Sequence, residues 1–318
     1  MNILITGSSG FIGNAIVNYL SQNKSLRIFC GNRCNNTLVK GQNLIPINLG
    51  DFSEGKVIWP KNFKIDIIIH TVAQQNENIN KDKLNKINTE ATKDLAIKAS
   101  KFGVKRFIFL SSIKVYGEKN KIDLGLTELM STKPESFYSK SKLNAENHLK
   151  KIVNQKKINM DYVIVRLPLV YGPGVKGNFK SLIKLVQKSK FPLPFGNSGN
   201  KRSFIAIDNV VDFINYLINL KQRKKTRNQI FCISDDEIIS TTILIKRIIK
   251  VFNFKINLFP MPRMIVIFLA KLILVQRSIE SIYGNLYFDI SKVKKELNWK
   301  PVIDMNDQLK KIKYDKNY

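Results

Sequence analysis

A short apolar run, Ile3-Leu-Ile-Thr6, passes directly into Gly7-Ser-Ser-Gly10-Phe-Ile-Gly13, and a helical pattern of apolar residues follows over 11–22. Glycines between a strand and a helix permit a tight turn and let backbone amides approach a pyrophosphate. The helix N-terminus adds the positive end of a dipole. The spacing is GxxGxxG rather than GxGxxG. It is the position, opening the chain between strand and helix, that predicts a dinucleotide site.

The alternation continues downstream. Runs 26–30, 66–71, 106–111 and 161–166 read as strands, and 86–102 and 139–155 as helices. The strands are continuously apolar, as expected of parallel strands covered on both faces. After Arg166 the pattern changes. Residues 168–199 are rich in Pro and Gly, and the chain reads as mainly helical from about 238. The predicted fold is α/β: a Rossmann-type doubly wound parallel sheet with a smaller, mainly helical C-terminal substrate lobe. Residues 1–167 form the nucleotide-binding domain, with 204–235 returning to it. Residues 168–203 and 236–318 form the lobe.

Composition excludes several classes. Cys30, Cys34 and Cys232 are too few for a disulfide scaffold. His70 and His148 are the only histidines and no CxxC pair exists, so no metal site is expected. His70 reads as a satisfied core histidine, and Trp59 and Trp299 as packing residues. The net charge is +29, with 43 of the 53 cations lysine. They are dispersed along the chain, which reads as a solvated basic surface and not a nucleic-acid stripe. The most apolar stretch, 264–275, is interrupted by Lys271 and is too short to span a bilayer. A cytoplasmic protein with no integral membrane segment is expected.

Phe137-Tyr138-Ser-Lys140-Ser-Lys142 opens a helix, and Tyr138 and Lys142, four apart, project from one face. An ammonium beside a phenol favours the phenolate, which makes Tyr138 a usable general acid or base. Ser112 ends a parallel strand at the carboxyl edge, where open α/β sheets place their sites. At the end of the second strand, Phe29-Cys30-Gly31-Asn32-Arg33 carries no acid for a ribose hydroxyl. Arg33 there favours the 2′-phosphate of NADP over NAD.

These motifs, taken in order, resemble an extended short-chain dehydrogenase/reductase of the nucleotide-sugar epimerase/dehydratase family. They are TGSSGFIG at 6–13, IIHTVA at 68–73, Asn88 in INTEAT, LSSIKVYGE at 110–118, YSKSK at 138–142 followed by Ala145-Glu146, RLPLVYGPG at 166–174, GNF at 177–179, KRSFIAIDN at 201–209 and YFDISKVKKELNWKP at 287–301. The resemblance implies that Tyr138 is the catalytic acid/base, that Lys142 tunes it and holds the cofactor ribose, and that Ser112 bonds the substrate oxygen. It further implies that Gly7, Gly10, Phe11, Ile12 and Gly13 cradle the cofactor, with Asp51 near the adenine and Ala73 and Asn88 near its inner part. Asn178 and Arg202 would hold the substrate diphosphate. Arg277 is a candidate for the nucleoside ribose, and Leu286 for the position that gates sugar size.

The reaction implied is hydride chemistry at C4 of a UDP-sugar, with NAD or NADP. The leading expectation is 4-keto reduction of a UDP-6-deoxy-N-acetylhexosamine-type sugar for surface polysaccharide. The alternative is a UDP-glucose or UDP-N-acetylglucosamine 4-epimerase, which uses the same residues. A 4,6-dehydratase needs an acid pair after the serine, where this chain has Ile113-Lys114. A non-catalytic cofactor sensor is the remote reading. Family relatives also imply a homodimer through a four-helix bundle of the helices at 86–102 and 139–155. No nucleic-acid partner is expected.

Overall fold

The computed structural model describes residues 1–33, 41–76, 79–119, 124–156, 158–219, 221, 223–262, 265 and 284–315. Cys34, Arg277 and the apolar stretch 264–275 apart from Ile265 lie outside them. The strands are β1 (Asn2–Thr6), β2 (Arg27–Asn32), β3 (Leu44–Asn48), β4 (Ile67–His70), β5 (Arg106–Ser112), β6 (Asp161–Leu167), β7 (Leu169–Tyr171), β8 (Arg202–Ala206), β9 (Gln229–Cys232) and β10 (Ile238–Ile239). Seven form one sheet in the order β3-β2-β1-β4-β5-β6-β9, with every neighbouring pair parallel. A second sheet of three strands, β10-β8-β7, lies in the small lobe.

The helices are α1 (Phe11–Leu20), α2 (Lys81–Asn85), α3 (Ala91–Lys101), α4 (Phe137–Val153), α5 (Gly177–Lys188), α6 (Ile207–Ile218), α7 (Arg223–Thr226), α8 (Thr241–Phe252), α9 (Ser291–Leu297) and α10 (Met305–Lys313). Successive strand residues alternate between two cores. Ile3, Ile5, Ile67, Ile69, Ile108 and Val163 meet α1, α6 and α9 on one face. Leu4, Ile68, Phe107, Phe109 and Ile164 meet α3 and α4 on the other. A period of two with both faces covered gives the continuous apolar runs seen in the sequence. A third core, from Tyr171 through Phe179 and Phe204 to Ile245 and Leu309, fills the small lobe.

Three features depart from the sequence reading. Strand β3 was not anticipated: it is an edge strand, and Pro46 within it has no N–H to offer a neighbour. The helix expected at 86–102 begins at Lys81 and passes through a π-helical segment, Lys86–Glu90, before α3. The lobe is not helical throughout, because β7, β8 and β10 pair there. Strand β8 joins this small sheet, while α6 packs against α1 and β9 pairs with β6 of the large sheet.

Arg106 at the start of β5 is almost wholly buried and is one of the ties that close the sheet. Its guanidinium donates to Asp161 Oδ1 at 2.7 Å, to the Leu217 carbonyl at 2.8 Å and to Thr226 Oγ1 at 2.9 Å. One side chain thus joins β5, β6, α6 and α7. Removing one partner of such a pair strands the other charge in the interior. Arg106→Met is therefore expected to cost about 3–5 kcal/mol of stability, read as a lower urea midpoint at unchanged slope. A loss below about 1 kcal/mol would show that Arg223, whose Nε also donates to Asp161 at 2.5 Å, satisfies the acid alone.

Candidate active site

The loop after β1 is a cradle of backbone at the carboxyl edge of the sheet. The Gly7 and Ser8 amides both donate to the Gly31 carbonyl, at 3.0 and 3.4 Å, and Thr71 Oγ1 donates to the Thr6 carbonyl at 2.7 Å. Gly7 has φ +69°, where side chains are disfavoured. A Cβ on Gly13 would lie 2.2 Å from the Gly7 oxygen, so only glycine lets α1 cross this close to the loop. Gly10 precedes α1 and provides no side-chain cap, so the first amides of the helix face the loop opening. Ile12 packs on the sheet core, while Phe11 reaches the small-lobe core.

Other sequence-predicted cofactor residues line the same edge. Arg33 is exposed just past β2. Asp51 is exposed and caps a short 3-10 turn, Phe52–Glu54. Hydrogen bonds from Ser53 hold its carboxyl below the usual carboxylate range, burial opposes them slightly, and Arg33 adds to the lowering. Ala73 is half-buried in the loop after β4. Asn88 lies in the π-helical segment and is buried. Its Oδ1 accepts from the Gln74 amide at 2.7 Å, and its Nδ2 donates to the Gln74 carbonyl and to Ser141 Oγ, both at 2.9 Å. Asn88 thereby pins the β4 loop to helix α4. His70 is buried between Thr6 Oγ1 (2.6 Å) and Thr92 Oγ1 (2.9 Å), and burial pushes its imidazole down to about 3. It is a neutral core residue.

Ser112, Tyr138 and Lys142 come together. Ser112 ends β5, and its Oγ accepts from the Lys114 amide at 3.2 Å. Tyr138 occupies the first turn of α4, capped by Ser136, and the side chains of Ser112 and Gln75 stand near enough for their hydrogen bonding to favour its phenolate. Lys142, one turn on, is buried with Nζ 4.0 Å over the Phe109 ring. Burial pushes the Tyr138 phenol up to about 12 against those hydrogen bonds, and the nearby Glu118 adds to the rise. Burial likewise pulls Lys142 down to about 7, with the Glu146 carboxylate opposing. The groups that lower the phenol are Ser112 and Gln75 and not the expected Lys142, and burial outweighs them.

Sequence reasoning missed two neighbours of this centre. Gln75 comes from the β4 loop held by Asn88. Glu118 lies in the VYGE stretch that the sequence displayed without assigning. Its Oε2 pairs with Lys114 Nζ at 2.9 Å, while its buried Oε1 has no hydrogen-bond partner among the described residues. Glu118 also acts on Arg202: burial pulls that guanidinium down to about 10, and Glu118 opposes the shift. Arg202 opens β8 and donates to the Gly284 carbonyl at 3.0 Å. Asn178 is exposed in the first turn of α5. The glycine loop thus lies at the carboxyl edge of the large sheet, Ser112 and Tyr138 meet at β5 and α4, and Asn178 and Arg202 stand in the small lobe.

Behind the centre, Glu146 is wholly buried. Arg166 donates to it twice, at 3.0 and 2.6 Å, and Ser111 Oγ once, at 2.5 Å. Arg166 also donates to the Tyr116 hydroxyl at 2.5 Å, which lies 3.5 Å from Cys232 Sγ.

Comparison with known proteins gives the family and the fold. A family model described as "NAD dependent epimerase/dehydratase family" matches residues 3–233. A UDP-glucose 4-epimerase of Vibrio cholerae is 33% identical, covering 94% of this chain and 90% of its own. Among solved structures, the fold is shared with UDP-glucuronic acid 4-epimerase from Bacillus cereus (TM-score 0.77, 22% identity, 100% and 99% of the two chains). It is shared also with UDP-glucose 4-epimerase from Thermotoga maritima (TM-score 0.76, 22% identity, 99% and 98%).

The buried lysine has a measurable consequence. An unfolded lysine titrates near 10.4, so between about pH 7 and pH 10 the unfolded chain binds more protons than the folded one. Stability from this group is expected to rise with pH across that window, until the raised Tyr138 reverses the sign at higher pH. Lys142→Met is expected to flatten the rise. Denaturant midpoints of both chains across this range test the point, and an unchanged rise in the variant would assign it to other groups.

Proposed function

The chain belongs to the NAD dependent epimerase/dehydratase family, and on that premise we propose that it performs hydride chemistry at C4 of a UDP-linked sugar. The observation that carries the reading is the junction of the Ser112 and Tyr138 hydroxyls at the strand edge, with Lys142 one helical turn behind. Tyr138 moves the proton of the C4 oxygen, and Ser112 orients that oxygen. Lys142, half-protonated near neutrality, sets the charge beside the phenol without leaving a full cation buried. The diphosphate of the substrate is assigned to Asn178 and Arg202 in the small lobe, a guanidinium being well suited to phosphate.

The residues of the β1 loop fit a dinucleotide. Gly7 takes a positive φ and Gly13 lets α1 start against the loop, where any Cβ would collide with the Gly7 carbonyl, and α1 begins without a side-chain cap. Gly7, Gly10, Phe11, Ile12 and Gly13 would hold NAD or NADP there, with Arg33, Asp51 and Ala73 along the same edge. A nicotinamide so held supplies or accepts the hydride. The assembly is read as cytoplasmic and as a homodimer pairing α3 and α4 with their copies.

Similarity to the Vibrio cholerae enzyme favours 4-epimerisation of a UDP-hexose or its N-acetylated form. A second reading, 4-keto reduction of a UDP-6-deoxy sugar, is favoured by the β2 end. Gly31 carries no carboxylate there, its missing Cβ would lie 2.4 Å from a Leu49 methyl, and Arg33 follows. Cofactor retention separates the two. Protein purified without added cofactor and then denatured releases near-stoichiometric NAD⁺ if the cofactor is recycled in place, and none if it exchanges each turnover.

Tyr138→Phe is expected to lower turnover of UDP-sugars by about 10²–10⁴-fold while leaving the fold and cofactor binding intact. Full activity in this variant would remove the proposal. Arg33→Ala is expected to weaken NADP binding far more than NAD binding in a titration of both. Equal effects would mean that Arg33 does not read the cofactor phosphate.

A further inference from the structure

The charge of this chain is less evenly spread than its total suggests. Residues 162–207 contain eight cations and no acid, and residues 238–279 contain seven cations and no acid. At the acid frequency of the whole chain, these two segments together would carry about seven carboxylates. They are distant in sequence, and their described residues up to Phe259 meet in the fold. Helices α5 and α8 pack together, and Leu193 bridges Leu258 in parallel, with its amide donating to the Asn257 carbonyl at 2.9 Å and its carbonyl accepting from the Phe259 amide at 3.0 Å.

Apolar side chains stand out from these acid-free segments. The outer face of α5 carries Lys184, Leu185 and Lys188 at helical spacing, and Leu185 is 43% exposed. Ser189 ends the helix, and Lys190 and Phe191 follow, the phenyl 78% exposed. Phe259 lies across the Leu193 bridge and is 38% exposed. A large aromatic left mostly in water beside three lysines is a poor solution for a surface that faces only solvent. The substrate diphosphate does not account for it. Asn178 is at the opposite end of α5, roughly 15 Å from Lys188 at 1.5 Å per residue.

We infer that this end of the small lobe, centred on Lys184, Leu185, Lys188, Lys190, Phe191 and Phe259, docks on an anionic phospholipid bilayer. The lysines meet the headgroup phosphates, and the phenyl and leucine side chains enter the boundary between headgroups and acyl chains. Interleaved apolar groups distinguish this surface from one built for a nucleic-acid backbone, where exposed aliphatic side chains gain nothing. The cleft between the sheets remains free when the far end of α5 faces the membrane.

Vesicle flotation with the full chain tests the inference without substrate or cofactor, so its outcome is separate from that of the C4 chemistry. The chain is expected to float with vesicles of phosphatidylcholine containing phosphatidylglycerol, not with phosphatidylcholine alone, and to be released by high salt. Replacing Lys184, Lys188 and Lys190 together by Gln is expected to weaken partitioning about 100-fold. Phe191→Ser should weaken it about tenfold. The same charge change at Lys56, Lys61 and Lys64, exposed on the large domain, should leave most of the binding in place. Thermal midpoints of all variants check folding, and Phe191→Ser alone suffices if the triple variant misfolds. The inference is overturned by equal binding to neutral vesicles, by equal loss in the two triple variants, or by undiminished binding of Phe191→Ser. Binding to duplex DNA with no binding to vesicles would overturn it in favour of nucleic acid.

Discussion

A carboxylate hidden from water fixes helix α4 on the sheet. Glu146 is wholly buried, and an unpaired charge there would cost several kcal/mol. Arg166 from β6 and Ser111 from β5 supply its hydrogen bonds, so the helix has one acceptable height and rotation on those two strands. Everything chemical on α4 inherits that setting. Lys142 lies one turn before Glu146 and Tyr138 two turns before, which brings the phenol to the Ser112 hydroxyl at the end of the same β5 strand. A change of register by one residue would rotate Tyr138 away by about 100°. The pair therefore acts as a ruler for the site as well as a contact within the core.

The second constraint comes from the opposite side of the centre. Asn88 joins the β4 loop to Ser141 of α4, and Ser141 Oγ donates in turn to the Tyr138 carbonyl at 2.7 Å. The π-helical segment that bears Asn88 gives its first turn an added residue, and such segments recur where a helix must present a side chain that regular geometry would misplace. The loop so held delivers Gln75 to the Tyr138 phenol. The tyrosine is thus set by its own helix, with the strand end and a loop from the neighbouring strand beside it.

Much of this could be read from the sequence, for physical reasons that differ between elements. The β1 loop was legible because only glycine fits a place where a Cβ would lie 2.2 Å from a carbonyl oxygen. The inner strands were legible because both their faces are covered, and Tyr138, Ser112 and Lys142 because four-residue spacing and a strand end have fixed geometric meanings. Strand β3 and the small sheet were not, since two- to five-residue strands gain their stability from partners remote in sequence. Gln75 and Glu118 escaped for another reason: each reaches the centre through a loop, where no periodicity reports direction. The electrostatic state of the tyrosine was legible only in part. A nearby lysine was foreseeable, but the burial that raises the phenol depends on tertiary packing.

The order of the strands has a consequence for how such an enzyme is made and how it can change. The seventh strand of the large sheet, β9, arrives only after β7, α5, β8 and α6 have been laid down. On the ribosome, β6 waits as an open edge while about sixty residues, including the first part of the small lobe, emerge, and the buried Arg106 waits with it for Leu217 and Thr226. The nucleotide half is therefore not a transferable module with a substrate half appended. Any graft that exchanged one lobe for a relative's would have to match at least three crossings of the chain between them. Within this architecture, new sugar preferences are more accessible through substitutions on a fixed frame than through recombination of its parts.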